Sequence, residues 1–327
     1  MRLPWLIGLL AFALGGCASS GEAPPFDLPP PYAGYVEVAE DQRLPYRQWL
    51  PDHAPRALVL ALHGFNDHAG SFAPLGETLS GQGIALYAHD QRGFGTTEPR
   101  GHWPGEAALV ADAHAMLAWL EARYPDTPRY LLGKSMGAAV ALRVLAERPA
   151  VAGGVLVAPA VWGRSTMPWY QRLGLWLGMR LAPEARFSAR TARRLGIEPT
   201  DDPEIRHQLA RDPLLLRSAR IEALDGVARL MDTALAAAPE QTGPLLLLYG
   251  EADQVIPEDA VCTLLATLPP PPAWRLVLYP EGYHMLTRYR GRAQTEADLA
   301  AWLQDPAAPL PSGREVTPET AERRLCR

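Results

Sequence analysis

Six short apolar runs punctuate the chain, and each ends in turn-forming or chemically reactive residues. They are Arg56–Leu62 (RALVLAL), Ile84–Ala88, Tyr130–Leu132, Gly154–Ala158, Leu245–Tyr249 and Trp274–Tyr279. Their apolar positions are continuous rather than alternating, which predicts strands buried on both faces. Between 35 and 50, the stretches GYVEV and RLPYRQWL predict two strands ahead of the series. Helical spacing fills the gaps. Glu106–Tyr124 sets Leu109, Ala113, Met116, Leu117 and Leu120 on one stripe. Met136–Arg148 is rich in Ala and Leu and stops before Pro149, which cannot continue a helix. Strands alternating with helices predict an α/β fold, a mostly parallel central sheet with helices on both faces. Such sheets bind ligands beyond the carboxyl ends of their strands, so the residues just past each run carry the chemistry.

The two ends do not follow this pattern. Leu3–Leu14 is almost purely apolar behind Arg2. It is too short for a spanning helix, which needs about 20 apolar residues, and has the length of a secretory signal's hydrophobic core. Leu14-Gly15-Gly16-Cys17 follows and resembles the lipobox of bacterial lipoproteins. That resemblance implies cleavage before Cys17, diacylation of Cys17 and attachment to a membrane through it. No Asp follows Cys17, which points to the outer membrane of a bacterial envelope, on the periplasmic side. The expected organisation is a signal peptide at 1–16, a Pro-rich tether at 17–34, one domain at 35–303 and a Pro-rich polar tail at 304–327 outside the core. Within the domain, about 160–241 exceeds an ordinary connection of about 2–6 residues and is expected to be a helical lid. Its segment Pro168–Leu181 (PWYQRLGLWLGMRL) would carry a broad apolar face. That face would either pack on the domain or meet an acyl chain or membrane.

Composition narrows the classes. A chain of 327 residues with 48% hydrophobic positions has enough for one large core. A net charge of −5 gives no basic patch, so nucleic acid is not an expected partner. Three cysteines cannot make a disulfide scaffold. With Cys17 acylated, Cys262 and Cys326 remain and could pair in an oxidising periplasm. Of 31 basic residues only Lys134 is lysine.

Gly133-Lys134-Ser135-Met136-Gly137 lies between a predicted strand and a predicted helix, the context in which Gly-x-Ser-x-Gly forms a nucleophile elbow. The sharp turn points the hydroxyl into the cleft, and the glycines leave room for it. A serine hydroxyl needs a base oriented by a third group. In this fold the order is Ser, acid, His. Glu251 and Asp253 follow Leu245–Tyr249, and His284 follows Trp274–Tyr279. Either carboxylate could be the acid on spacing alone. The amides of Met136, after the nucleophile, and Phe65, in the loop His63-Gly64-Phe65, are the expected oxyanion donors. His63, Asp67 and His68 could ligate a metal, but no further ligand is evident, the loop already has a role, and no metal or organic cofactor is expected. A phosphate-binding loop would need Gly where Pro128 stands. Lys134 reads as an exposed elbow residue.

Taken together, these pieces resemble the serine α/β-hydrolases of the monoacylglycerol lipase and lysophospholipase group. The matching residues are His63-Gly64-Phe65 with His68, Asp90-Gln91-Arg92-Gly93-Phe94-Gly95, the elbow, Gly250–Pro257 and His284. The resemblance spans about 35–303. It implies Ser135 as nucleophile, Asp253 rather than Glu251 as acid, His284 as base, and Phe65 and Met136 as oxyanion donors. It also implies a lipid or small-molecule ester as substrate. Lys134 stands where the family often has His, and Thr96-Thr97 where it often has Ser, which leaves substrate preference open. The triad alone does not separate ester from amide hydrolysis, and a non-catalytic binding lipoprotein is a further alternative. Oligomeric state is not readable from the chain.

Overall fold

The apolar runs form the strands of one sheet. In the computed structural model, β1 (Gly34–Ala39), β2 (Gln42–Trp49), β3 (Ala57–Leu62), β4 (Ile84–His89), β5 (Arg129–Lys134) and β6 (Gly153–Val157) come first along the chain. β7 (Arg186–Ser188) and β8 (Ser218–Arg220) make a separate small hairpin. β9 (Leu245–Gly250), β10 (Trp274–Tyr279) and β11 (Glu315–Val316) complete the large sheet. Its order is β1-β2-β4-β3-β5-β6-β9-β10-β11. From β4 to β10 every pairing is parallel; β1, β2 and β11 run antiparallel at the edges. The structure describes residues 32–39, 42–164, 167–188, 197–271 and 274–326. The segments expected to be the signal peptide and most of the tether, with Cys17, lie outside them.

Every residue of β3, β4, β5, β6 and β9 is buried, as continuous apolar runs require. Alternation appears in which core each side chain joins. Leu58, Leu60 and Leu62 join one core, whereas Ala57, Val59 and Ala61 join the other. The first core is covered by α2 (Glu106–Arg123), α3 (Met136–Ala146), α6 (Ile221–Ala237), α7 (Glu258–Thr267) and α9 (Pro318–Leu325). The second is covered by α1 (Ala73–Ser80) and α8 (Arg292–Gln304), with Trp302 set edge-on to Tyr130. Two further helices, α4 (Trp169–Leu181) and α5 (Pro203–Arg211), belong to the insertion between β6 and β9. No residue of α4 is buried; Trp169 is 72% and Leu181 79% exposed. Its Leu175 borders the first core, and its Gly178 lies close to Ile221 of α6.

Both ends of the domain extend further than their composition suggests. At the start, the Tyr32 hydroxyl donates to Asp90 and the Ala33 amide to the Tyr46 carbonyl, so the fold begins before the expected end of the tether at 34. The expectation of a tail outside the core is also corrected. Within 304–326, Leu310, Ala321 and Leu325 are buried, β11 pairs with β10, and Cys326 is disulfide-bonded to Cys262. The physical reason is economy of anchors. A few apolar residues, two of them spaced i and i+4 on α9, seat a segment whose remaining positions stay polar and wet.

Candidate active site

The elbow is built by steric exclusion. Ser135 sits between β5 and α3 at φ 54° and ψ −118°, a region that costs a non-glycine residue about 1–3 kcal/mol. A Cβ at Gly133 would run into the Gly137 carbonyl, and one at Gly137 into the Leu62 carbonyl. Both glycines are therefore needed for the turn to close against β3. The turn is pinned by the Ser135 amide on the Val157 carbonyl at 2.9 Å and by the Ala160 amide on the Ser135 carbonyl at 3.1 Å.

Loops after β9 and β10 bring the other two residues in. His284 Nε2 lies 3.0 Å from Ser135 Oγ, and Nδ1 lies 2.8 Å from Asp253 Oδ2. The Asp253 side chain is wholly buried, and its Oδ1 accepts from the amides of Val255 (2.7 Å) and Ile256 (3.0 Å). With Nδ1–H donating to Asp253, Nε2 is free to accept the serine proton. Glu251, the rival on spacing, pairs instead with Arg324.

The loop after β3 lies against the elbow. A Cβ at Gly64 would come 3.3 Å from Ser135 Cβ, so the backbone approaches the nucleophile directly. Phe65 follows, its ring edge-on to Phe94 at 5.5 Å. Met136 opens α3, where an amide has no acceptor within its own helix. His63 donates from Nδ1 to the Gly64 carbonyl at 2.8 Å and accepts the Gln91 amide on Nε2 at 2.9 Å. Burial lowers its pKa, consistent with a neutral ring bridging the two loops. Both His63 nitrogens and Asp67 are thus committed to protein partners. Among the described residues no group of His, Cys, Asp and Glu has the arrangement of a metal site.

Lys134 corrects the sequence reading. Far from exposed, its ammonium sits 2.6 Å from Asp67 Oδ2, with side chains 4% and 5% exposed. Burial alone would raise the Asp67 carboxyl, but Lys134, with help from His68, holds it well below the usual carboxylate range. The pair joins the loop after β3 to the elbow. Its one signal in the sequence is an unusual residue before the nucleophile, in a chain otherwise without lysine.

The insertion touches these loops at several points. The Leu216 amide donates to the Asn66 carbonyl at 3.1 Å, and His68 Nε2 meets Asp212 Oδ2 at 2.9 Å. The Met285 amide donates to the Pro199 carbonyl at 2.9 Å, and Thr200 Oγ1 to the Arg288 carbonyl at 2.7 Å. It therefore contacts both the loop carrying Phe65 and the loop carrying His284.

Comparison with known proteins agrees with this architecture. The family described as serine aminopeptidase, S33, matches residues 53–289. Monoglyceride lipase of Homo sapiens is 29% identical over 288 residues, covering 82% of this chain and 88% of that protein. Monoacylglycerol lipase of Mycolicibacterium smegmatis is 28% identical over 273 residues, covering 80% and 92%. The crystal structure of Paleococcus ferrophilus monoacylglycerol lipase superposes with a TM-score of 0.64 at 23% identity, covering 80% of this chain and 98% of that one. A soluble variant of monoglyceride lipase from Saccharomyces cerevisiae gives 0.71 at 18% identity, covering 88% and 100%. At these identities the solved structures speak for the fold. With the family match spanning most of the domain, the chain belongs to the serine aminopeptidase S33 family and is an α/β-hydrolase of the monoacylglycerol lipase group.

Proposed function

We propose that this chain is a serine ester hydrolase that cleaves lipid-like acyl esters, such as monoacylglycerols and lysophospholipids, through an acyl-enzyme. The observation that carries the reading is the unbroken line from Ser135 through His284 to Asp253, with spacings of 3.0 and 2.8 Å. His284 takes the Ser135 proton as Oγ attacks the ester carbonyl, forming the tetrahedral intermediate. The amides of Phe65 and Met136 hold its oxyanion. His284 then protonates the leaving alcohol, and the acyl group stays on Ser135. Water, activated by the same imidazole, attacks the acyl-enzyme and releases the acid. Asp253 fixes the imidazole tautomer and stabilises the imidazolium in both halves.

Two features support a lipid-like substrate. The named relatives are monoglyceride lipases. The insertion carries α4, whose exposed Trp169, Leu173, Trp176 and Leu177, spaced i, i+4, i+7 and i+8, give an apolar stripe suited to a lipid surface. A lipid anchor at Cys17, read from Leu14-Gly15-Gly16-Cys17, would hold the enzyme at such a surface in the bacterial envelope. The family description also supports an amide-cleaving alternative. An aminopeptidase needs acceptors for its substrate's α-ammonium. Asp67, Asp212 and Glu251 near the triad loops are instead paired with Lys134, His68 and Arg324, which favours the ester reading.

The test is labelling by a fluorophosphonate, followed by turnover of a monoacylglycerol, a lysophospholipid, a p-nitrophenyl ester and an aminoacyl anilide. Ser135→Ala should fold and lose both labelling and turnover. Labelling that survives the substitution, or turnover of the anilide alone, rejects the reading. For the anchor, Cys17→Ala should move the protein out of the detergent phase; unchanged partitioning rejects it.

A further inference from the structure

The segment after residue 289 lies beyond the family match, yet it holds the triad's acid loop at both ends. Glu251 opens the loop that carries Asp253. Arg324 on α9 grips the Glu251 carboxylate with both Nε, at 2.8 Å from Oε1, and Nη2. At the other end the loop runs into α7, whose Cys262 is bridged to Cys326 just past α9, with Cα atoms 5.3 Å apart. The helix is firmly seated, since Ala321 and Leu325 are buried in the first core. The acid loop is in turn tied to the base loop. The Glu251 and Ala252 amides donate to the Tyr279 and Gly282 carbonyls, both at 3.0 Å.

We propose that α9 is a positioning clasp for the acid of the triad, with Arg324 fixing Glu251, the disulfide fixing α7, and the two together holding Asp253 against His284. This rests on the hydrolase reading above. A guanidinium meeting a carboxylate with two parallel bonds sets orientation as well as distance, which an ammonium does not. Loosening either end lets Asp253 drift from Nδ1 of His284. The imidazolium then loses its counter-charge and the base becomes weaker. The acidic limb of the rate profile therefore moves to lower pH as kcat falls, while KM stays near its original value. The disulfide makes the clasp sensitive to redox state. A dithiol opens it, leaving thiols at Cys262 and Cys326 and ending as a cyclic disulfide itself.

The experiment compares wild type, Arg324→Ala, Arg324→Lys and dithiol-reduced wild type in kcat, KM and pH profile, and follows the His284 imidazole titration by NMR. For Arg324→Ala, kcat should fall about tenfold, within the ~100-fold that a 1 Å misplacement can cost. Kinetic and NMR titrations should both shift to lower pH, Arg324→Lys should recover part of the loss, and reduction should shift them the same way. A folded Arg324→Ala protein that matches wild type in kcat and in the His284 titration overturns the proposal. If Arg324→Ala does not fold, Arg324→Lys and reduced wild type decide, and the proposal falls if both match wild type. A wild type that takes no fluorophosphonate and turns over no ester refutes the hydrolase reading instead. The NMR comparison still scores the clasp in that case.

Discussion

Replacing Lys134 with Met should be among the most damaging single changes outside the triad. The ammonium lies 2.6 Å from Asp67, with both side chains at or below 5% exposure, and stands 5.7 Å from the Phe72 ring. Lys134→Met leaves Asp67 as a buried anion without the cation that touches it, and removing one partner of a buried pair costs about 3–5 kcal/mol. For a domain of this size that corresponds to about 5–8 °C in Tm. Replacing both, with Lys134→Met and Asp67→Leu, removes both charges and should return stability close to wild type. Two further hydrogen bonds are still lost, the one Asp67 Oδ1 accepts from the His68 amide, at about 1 kcal/mol, and the long one Lys134 Nζ donates to Ser71 Oγ at 3.5 Å. With each single change costing about 3–5 kcal/mol and the pair about 1, a double-mutant cycle should therefore show coupling of about 5 kcal/mol, above the ~0.5–3 kcal/mol usual for contacting residues. Because the pair supports the loop carrying Phe65, kcat/KM on a p-nitrophenyl ester should also fall, by about 10–100-fold, in the single mutant. Thermal melts and steady-state kinetics on the four proteins test this. A Lys134→Met protein within about 1 kcal/mol of wild type, with unchanged kcat/KM, would refute the reasoning.

Asp253→Asn keeps an acceptor for the Val255 and Ile256 amides but turns an NH₂ towards His284. The imidazole is forced into the tautomer that cannot accept from Ser135, and kcat should drop about 10⁴-fold with Tm nearly unchanged; kinetics and a melt decide. His89 is fully buried with neither ring nitrogen hydrogen-bonded, and burial pushes its pKa down to about 3. The unfolded chain takes up this proton near pH ~6.5, so stability should fall by up to ~1.4 kcal/mol per unit as pH drops from there towards 3. His89→Phe should flatten that slope in urea melts, and an equal slope in both proteins would count against it. Gly137→Ala would gain about 0.8–1 kcal/mol in an ordinary helix. Here the added carbon meets the Leu62 carbonyl, so loss of soluble enzyme or a lower Tm is expected, and a higher Tm would contradict the packing argument.

What was legible along the chain was whatever local pattern alone determines. The central strands are buried on both faces, so their positions are apolar almost without interruption. Ser135, Asp253 and His284 each follow such a strand, so order and register pointed to them before their distances were known. Lys134 was misread because its partner is 67 positions away and nothing near Asp67 announces a buried cation. The carboxy-terminal segment was misread for a related reason. Leu310, Ala321 and Leu325 are too sparse among polar residues to register as a core face, although a disulfide and one short β-ladder suffice to dock them. The insertion's length was visible, but its ties to Asn66, His68 and Met285 join positions remote in the chain.

Lys134 has one more consequence. It is the chain's only lysine, and its ammonium is sealed beneath the nucleophile. Apart from the amino terminus, the folded protein offers amine-directed reagents no ready target. A lysine-specific endoprotease has one bond to cut, between Lys134 and Ser135, and since β5 is paired with both β3 and β6, that bond becomes accessible only when the sheet opens at the elbow. The rate of modification or cleavage there is a clock for transient opening of the active site itself. Mass spectrometry can read it at a single known position, with no probe engineered into the protein.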